Sequence, residues 1–533
     1  MTAPRIFLPL YLLALLCAGL GYLAILPAFE GLDETAHYSS IRQITDTGTI
    51  PLFGTSFIDA AVRAYRGPMP DIPGYNYRTY PQFFAQPDLV ANYASSYRSS
   101  GIAAFRPSDE QNWEAQHPPL YYLLLATVDK ASDGLPFLTQ MFLLRLVSFL
   151  LALSGVGFAV LACRRSGSGG ASDPAMIGFL LYPIVFPMFF VEFTRLGNDS
   201  LCLLLAGLTA YLFSKWLKDE NDARLSVAIG IVLGLGLLTK AFFIPIIAAL
   251  GTFVLLRLFA ERQSGGTASA AIRKLILLFL PALLIGGGWY VYKLVAYGDL
   301  IGSNDATILA AKGGLVAGLK RNFSVYAAAR GVAAVFKSYI WAGTQSLAKP
   351  PAILFLPLTA LVLAGTGGFL LRLRQRPVSD IAWLPVLLFV FFAGGLFYHI
   401  LMDIASTGSA STPGWYLHIL MPWFAPALGI GMATLLEIRR ARPVVVALLL
   451  YALAFQVALL WAQVALFAGC AIKTEDSFYA FPGSSLCLDR FATVMAHLSL
   501  LGWPVLAAIG FGGGIICALV LMMVSRSKAV DRW

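Results

Sequence analysis

The sequence predicts an all-α polytopic membrane protein with about 12 transmembrane helices. Hydrophobic residues make up 58% of the 533 residues, and charged residues make up only 12%. Apolar runs of roughly 18 to 25 residues, each long enough to span the hydrocarbon core of a bilayer, recur along the chain. The net charge of +10 is explained by basic loops between these runs, so it indicates membrane topology and gives no reason to expect a nucleic-acid partner.

The apolar runs define the predicted spans. The first run is retained as a span, because it lacks the short core and small-residue cleavage site of a signal peptide. The apolar stretch 119–131 is too short to cross a bilayer, so it predicts a buried or re-entrant helix. The spans cover 6–27, 138–162, 174–194, 200–217, 224–240, 242–259, 274–297, 351–371, 380–402, 415–436, 443–468 and 498–523.

An even number of spans places both termini on one side of the membrane. Short loops rich in arginine and lysine, including Arg164, Arg439 and Arg526, fall on that side, which is therefore predicted to be cytoplasmic. The whole chain, 1–533, then forms a single membrane unit. Three large polar segments lie on the extracytoplasmic side: 28–140 with interfacial helices, the basic segment 298–350, and 469–497.

The last of these segments contains Cys470 and Cys487, in a compartment that permits disulfides. A bridge between them would stiffen the segment, and the sequence leaves open whether it forms.

The motif GLDETAHY, residues 31–38, opens the first polar segment. Its adjacent carboxylates, Asp33 and Glu34, and the following His37 fit a general base, a metal site or a helix cap. Asp33 is placed to cap a helix that runs through Ile44, with its apolar face on the membrane surface.

The same segment ends in NWEAQHPPLYY, residues 112–122. The two prolines hold His117 out of helical geometry and then start a helix, which turns Glu114 and His117 towards the extracytoplasmic face. The alternative is that these residues only organise a helix start.

Two further polar clusters interrupt the apolar runs. The turn 195–200 contains Arg195, Asn198 and Asp199, and a solvated turn with Asp199 as a helix cap is its simplest interpretation. Lys240, in the segment LLTKAFF, either extends to the membrane surface or binds a phosphate.

The polar segments near the C-terminal half supply the remaining candidates. Lys320 and Arg321 predict a basic interfacial helix that meets anionic headgroups or a lipid phosphate, or else a solvated helix face. In 414–426, Trp415 and Tyr416 fit an aromatic belt, and His418 fits a buried helix histidine better than a ligand.

Motifs of common soluble enzymes, such as GxSxG, the Walker loop, HExxH and paired CxxC, do not occur in the sequence. No internal repeat is evident either, which weakens a transporter interpretation.

The sequence resembles a bacterial branch of the GT-C glycosyltransferases. The resemblance is carried, in chain order, by DE after the first span, HPPLYY before the second, NDS, LTK and WYLHILMPW. The late helix departs from the family pattern, because Trp415 stands where an arginine usually precedes the tyrosine. The resemblance implies transfer of a sugar from a polyprenyl-phosphate carrier to a glycan or lipid acceptor, usually with inversion. It also implies a bacterial inner membrane and an extracytoplasmic active site.

On this resemblance, Asp33 is the expected base and Glu34 orients the acceptor or a metal. The donor phosphate would be bound by Lys240 and Arg195, with Lys320 and Arg321 as further candidates. A divalent ion, Mg²⁺ or Mn²⁺, between Asp33 and Glu34 is left open. The expected acceptor-side and sugar-side residues are His37, Glu114, His117, Asn198, Asp199, Tyr416 and His418.

The competing functions are a transporter or flippase for a lipid-linked sugar, and a polymerase or ligase that joins lipid-linked glycans. Beyond the donor, the acceptor and membrane lipid, the sequence indicates no partner, and it leaves the oligomeric state open.

Overall fold

A computed structural model of the chain describes residues 3–69, 78–166, 173–263, 268–301, 304–475, 478–481, 510 and 512–516. The helices within these ranges are α1 (Ala3–Ile25), α2 (Glu34–Thr47), α3 (Ala60–Arg63), α4 (Tyr80–Phe84), α5 (Pro87–Ser99), α6 (Leu120–Ala131), α7 (Phe137–Ser166), α8 (Pro174–Val185), α9 (Met188–Phe193), α10 (Asp199–Trp216), α11 (Ala223–Leu237), α12 (Phe243–Gln263), α13 (Ala268–Tyr297), α14 (Asn304–Ala311), α15 (Gly314–Asn322), α16 (Val325–Ile340), α17 (Leu356–Leu373), α18 (Leu384–Thr407), α19 (Met421–Glu437) and α20 (Arg442–Phe467).

Shorter elements join the helices. Single 3₁₀ turns occur at Trp113–Gln116, Ala352–Phe355, Ile381–Trp383 and Trp415–Leu420. The strands are β1 (Phe57–Asp59), β2 (Pro107–Gln111), β3 (Ile472–Lys473) and β4 (Tyr479–Ala480). They form two small antiparallel pairs, β1 with β2 and β3 with β4.

The predicted all-α polytopic membrane fold is confirmed. In the part of the chain that the structure describes, eight helices are long and apolar enough to cross a membrane, and α8 and α11 are shorter apolar helices. Every predicted span up to 443–468 coincides with a helix or a pair of helices. The span 498–523 falls almost entirely outside the described residues.

Two predictions about individual spans have different outcomes. The stretch 119–131 forms α6, which is too short to cross a bilayer, as predicted. The span 174–194 is not continuous, because it breaks between α8 and α9 at Phe186 and Pro187. A proline lacks the N–H that would continue the helical ladder, so Pro187 starts a new helix.

The long helices approach each other closely at glycines. A β-carbon on Gly207 of α10 would lie 2.0 Å from the carbonyl oxygen of Gly155 on α7. A β-carbon on Gly178 of α8 would lie 1.7 Å from the carbonyl oxygen of Ala425 on α19. Small residues therefore set the spacing of the bundle, as is usual for membrane helices.

The sequence predicted that α2 lies on the membrane surface with its polar face in water. The structure contradicts this prediction. All of its residues from Glu34 to Arg42 are buried in the protein, between α6, β1 and the turn Trp113–Gln116. The polar side chains of its first half therefore need partners inside the protein, and these partners build the site described next.

Candidate active site

The motifs predicted from the sequence meet at one end of the helix bundle. The backbone N–H of Leu196 donates to Glu34 Oε1 at 3.0 Å, and that of Gly197 donates to the hydroxyl of Tyr121 at 3.1 Å. The N–H of Leu120 donates to the carbonyl of Leu238 at 3.1 Å. Segments that are far apart in the sequence thus form one cluster.

The approach of these segments depends on a glycine in the first motif. A β-carbon on Gly31 would lie 2.6 Å from Cβ of Arg195 and 3.0 Å from Cδ of Glu34. A side chain at this position would push the turn 195–200 away from the first polar segment.

Asp33 is the N-cap residue of α2, but its side chain does not cap the helix, contrary to the prediction. Its backbone is left-handed, with φ of 55°, a conformation that non-glycine residues rarely adopt. Its N–H donates to Gln345 Oε1 at 2.8 Å, and its Oδ1 accepts from Trp113 Nε1 at 3.0 Å. The unusual backbone turns the carboxylate away from the helix amides and towards Trp113.

The electrostatic surroundings of Asp33 favour its protonated form more than water does. Burial, followed by the neighbouring carboxylate of Glu114, raises the pKa of Asp33 above its ordinary value. Arg195, the hydrogen bond from Trp113 and Lys240 oppose this effect. Asp33 itself is only half-buried, and no hydrogen bond from a described residue reaches its Oδ2. A carboxylate with one oxygen held and the other open is suited to accept a proton.

Glu34 is not available for the acceptor or a metal, so its predicted role is corrected. Arg145 Nε and Nη2 donate to Glu34 Oε1 and Oε2 at 2.7 and 2.5 Å, in a pair with both side chains fully buried. The same guanidinium donates to the carbonyls of Leu26 and Pro27 at 2.6 and 2.7 Å. Glu34 and Arg145 therefore fasten the end of α1, the start of α2 and α7 together.

The proposed metal pair of Asp33 and Glu34 does not form either, because Arg145 occupies both oxygens of Glu34. Among the described residues, no group of three or more histidine, cysteine, aspartate or glutamate side chains is arranged to hold a metal ion. We derive no step through a metal.

Arg195 and Asp199 belong to a chain of buried charges. Arg195 donates to Glu192 Oε1 and Oε2 at 2.5 and 3.2 Å and to Asp199 Oδ2 at 3.3 Å. Its Nη1 donates to the carbonyl of Leu32 at 2.9 Å. Every guanidinium nitrogen of Arg195 is thus engaged, so its predicted contact with the donor phosphate is not supported. The sequence predicted that Asp199 caps α10, but its side chain makes no cap hydrogen bond and instead binds the side chains of Arg195 and Lys240.

Lys240 completes the chain of charges. Its ammonium donates to Asp199 Oδ1 and Oδ2 at 3.1 and 2.8 Å, and it lies over the rings of Phe242 and Tyr416 at 4.4 and 4.5 Å. Lys240 therefore points into the protein and does not reach out to the membrane surface, which was one of its two predicted roles. An ammonium has three N–H donors, and Asp199 takes two of them, so the third has no hydrogen bond to a described residue.

His37, Glu114 and His117 form a second polar group next to Asp33. Glu114 Oε2 lies 3.1 Å from His117 Nε2 and 3.5 Å from His37 Nε2, and His37 Nδ1 lies 2.9 Å from the hydroxyl of Tyr122. Burial lowers the pKa of His37 to about 3, so this imidazole is neutral at pH 7. Burial acts to raise the pKa of Glu114, but the two histidines outweigh it and hold the pKa below its ordinary value. His117 is out of helical geometry and precedes α6, as predicted.

Two predicted sugar-side residues are fully buried, with different surroundings. Both side-chain atoms of Asn198 lack a hydrogen-bond partner among the described residues. His418 lies among aromatic rings, with its Nδ1 3.1 Å from the hydroxyl of Tyr182 and its Nε2 without a partner in the same described part. This packing agrees with the interpretation of His418 as a buried histidine and not as a ligand-binding residue.

The remaining predicted residues lie elsewhere. Lys320 and Arg321 are exposed at the end of α15, which packs on α18, and they make no contact with Asp33 or Lys240 in the described structure. Cys470 lies after α20, and Cys487 falls outside the described residues, so their pairing stays a prediction.

Sequence reasoning missed several residues that hold the site. Arg145 and Glu192 each lie inside a predicted span, where a charged residue is costly and marks a structural or functional pair. Trp113 and Gln345 gave no signal, because a tryptophan and a glutamine in polar segments have many ordinary roles.

Comparisons with known proteins agree with the predicted class. The family described as dolichyl-phosphate-mannose-protein mannosyltransferase matches residues 116–285, which include the HPPLYY, NDS and LTK motifs. The matched region covers about a third of the chain. No curated protein sequence matches the chain.

Solved structures similar to the chain are distant. ArnT from Cupriavidus metallidurans in the apo state is 15% identical, with 91% of this chain and 74% of that chain covered and a TM-score of 0.38. The same protein bound to undecaprenyl phosphate is 15% identical, with 86% and 74% covered and a TM-score of 0.37. The apo oligosaccharyltransferase of Archaeoglobus fulgidus is 14% identical, with 89% and 57% covered and a TM-score of 0.35.

Proposed function

We propose that this protein transfers a sugar from a polyprenyl-phosphate carrier to an acceptor hydroxyl, with Asp33 as the general base. The geometry of Asp33 carries the proposal. Asp33 is half-buried in an otherwise buried cluster, with one carboxylate oxygen fixed by Trp113 and no hydrogen bond from a described residue to the other. The family match supports the donor class, since the family is described by its use of dolichyl-phosphate-mannose, a polyprenyl-phosphate sugar.

In the proposed reaction, Asp33 Oδ2 accepts the proton of the acceptor hydroxyl as its oxygen attacks the anomeric carbon. The bond between the anomeric carbon and the phosphate oxygen breaks on the opposite face, so the configuration inverts. The carrier phosphate leaves with the electron pair, and the remaining N–H of Lys240 stabilises its charge. Asp199 competes for the same ammonium, so the phosphate shares Lys240 with it.

The proposed location is the extracytoplasmic face of a bacterial inner membrane, with both termini in the cytoplasm. The site is built from the segments that the basic loops assign to that face.

Replacement of the base tests the proposal directly. Asp33→Asn should lower the transfer of radiolabelled sugar from a polyprenyl phosphate by about 100-fold or more in reconstituted vesicles, because the amide cannot accept the proton. Asp109→Asn, an exposed change in the same polar segment, is the matched control and should retain transfer. Unchanged transfer in Asp33→Asn removes Asp33 as the base. Movement of the lipid-linked sugar across the vesicle membrane without transfer would instead support a flippase.

A double variant tests the role of Lys240 at the phosphate. Lys240→Met should abolish most transfer and also destabilise the protein by about 3 to 5 kcal/mol, since it removes one partner from a buried ion pair. Adding Asp199→Asn should restore much of the thermal stability, because the uncompensated charge is gone, but it should not restore transfer. Recovery of transfer in the double variant would show that Lys240 acts only as the partner of Asp199.

A further inference from the structure

A polar cavity lies in the 28–140 segment, apart from Asp33 and Lys240. Its volume is about 610 Å³, within the usual range for sites that bind small ligands. The cavity is lined by Arg63, Tyr65, Arg66, Arg78, Gln82 and Gln86, none of which takes part in the cluster around Asp33.

The positive charge of this cavity has little compensation. Arg63 is paired with Glu110, with 3.2 Å between Nη1 and Oε2. By contrast, neither Arg66 nor Arg78 forms an ion pair within the described part of the chain. The guanidinium of Arg78 is anchored, because its Nη1 donates to the carbonyl of Arg66 at 3.2 Å. Guanidinium groups without a carboxylate partner are well suited to bind carboxylate or phosphate oxygens with two parallel hydrogen bonds.

The neutral side chains of the cavity suit a sugar. Gln82 Oε1 accepts from the N–H of Thr79 at 3.0 Å, and Gln86 Nε2 donates to the carbonyl of Gln82 at 3.2 Å. These bonds fix both side chains and leave the NH₂ of Gln82 and the carbonyl oxygen of Gln86 for a ligand. A donor and an acceptor of this kind pair readily with hydroxyl groups.

The wall of the cavity is attached to the turn that carries Asp33. The ring of Tyr65 makes an edge contact with Phe29, with 5.1 Å between centroids, and Phe29 lies just before Asp33 in the chain. The hydroxyl of Tyr65 lies 2.7 Å from that of Tyr93, and the N–H of Arg66 donates to the hydroxyl of Tyr97 at 3.0 Å. The cavity and the carboxylate are therefore built on the same packed segment.

We propose that this cavity binds an acidic part of the acceptor, an oligosaccharide that carries carboxylate or phosphate groups. The inference rests on the proposed function, since it assigns a substrate class to the acceptor of that reaction. A neutral acceptor could use the two arginines only as ordinary hydrogen-bond donors, whereas an acidic acceptor also gains the stronger, charge-assisted bonds.

Binding of model sugars to the purified full-length protein tests this site without any donor. Trigalacturonate and glucose 6-phosphate present the carboxylate and the phosphate, and maltotriose is the neutral comparison. The wild type should bind at least one acidic sugar more tightly than maltotriose, and the probe that binds better identifies the acidic group. Arg66→Gln combined with Arg78→Gln should weaken that binding about 100-fold, which corresponds to about tenfold for each guanidinium removed. Arg106→Gln, an exposed arginine of the same segment outside the cavity, should leave the affinity unchanged.

Two results would overturn the proposal: equal affinity of the wild type for acidic and neutral sugars, or unchanged affinity in the double variant. The first comparison uses only the wild type, so it holds even if the double variant folds poorly. Asp33→Asn should bind the acidic probe normally. If Asp33→Asn loses transfer and the protein does not bind the acidic sugar, only the proposal for the cavity is rejected. If Asp33→Asn binds the acidic sugar but keeps full transfer, only the proposal of Asp33 as the base is rejected.

Discussion

Asp33 combines a rare backbone conformation with an open carboxylate oxygen. A left-handed backbone at a non-glycine residue costs of order 1 to 3 kcal/mol and persists only when neighbouring contacts hold it. Here those contacts are the hydrogen bonds to Gln345 and from Trp113. The direction of the carboxylate is therefore set by residues outside its own helix.

The pH dependence of transfer should report on the hydrogen bond from Trp113. Asp33 must be ionised to act as a base, so its raised pKa places the acid limb of the rate profile above that of an ordinary aspartate. Trp113→Phe removes an N–H that stabilises the ionised form, so the acid limb should move to still higher pH. The measurement is kcat/KM for transfer across an acidic pH series.

Trp383→Phe is the control for this change, because Trp383 Nε1 donates to the carbonyl of Arg376, outside the site. A lower rate in Trp113→Phe with an unmoved acid limb would show that Trp113 acts only through packing.

At the scale of single elements, the contact of α2 with α1 and α7 depends on Arg145. Its guanidinium reaches both oxygens of Glu34 and two carbonyls at the end of α1. A lysine keeps the charge but cannot reproduce this planar fork. Arg145→Lys should therefore lower the free energy of unfolding by about 2 kcal/mol, measured as thermal stability in detergent.

Arg164→Lys, at the end of the same helix α7, is the matched control and should leave stability unchanged. Equal stability of the two variants would contradict the structural role that we assign to the pair of Arg145 and Glu34.

The elements also show what the sequence could and could not predict. Hydropathy located the long helices, and the short length of 119–131 excluded it as a span, because bilayer thickness fixes the number of residues required. Periodicity could not show that α2 is buried on all sides, since its polar side chains find partners on distant segments. The acidic motif lies in the same buried cluster as the other predicted motifs, but only the structure separates open Asp33 from paired Glu34.

Over the whole molecule, the spacing of the helices depends on glycine contacts between α7 and α10. Gly207→Ala should lower thermal stability, because its β-carbon would lie 2.0 Å from the carbonyl of Gly155 and push the helices apart. Gly394→Ala on α18 is the control, because a β-carbon there has no atom within 4 Å. Alanine favours the helix more than glycine, so this control should be neutral or slightly stabilising. Equal stability of the two variants would mean that the contact of α7 with α10 adapts easily.

The contact between Asp33 and Gln345 also has a consequence for the order of synthesis. The two residues are 312 positions apart, and Glu30 in the same turn is bound by Thr344 and by the N–H of Ser346. A ribosome that has released the first polar segment must therefore still make the helices from α7 to α13 before these partners exist. The nascent chain cannot fix the position of the proposed base until residues 344–346 have emerged, so the proposed sugar transfer has to wait for the second half of the protein.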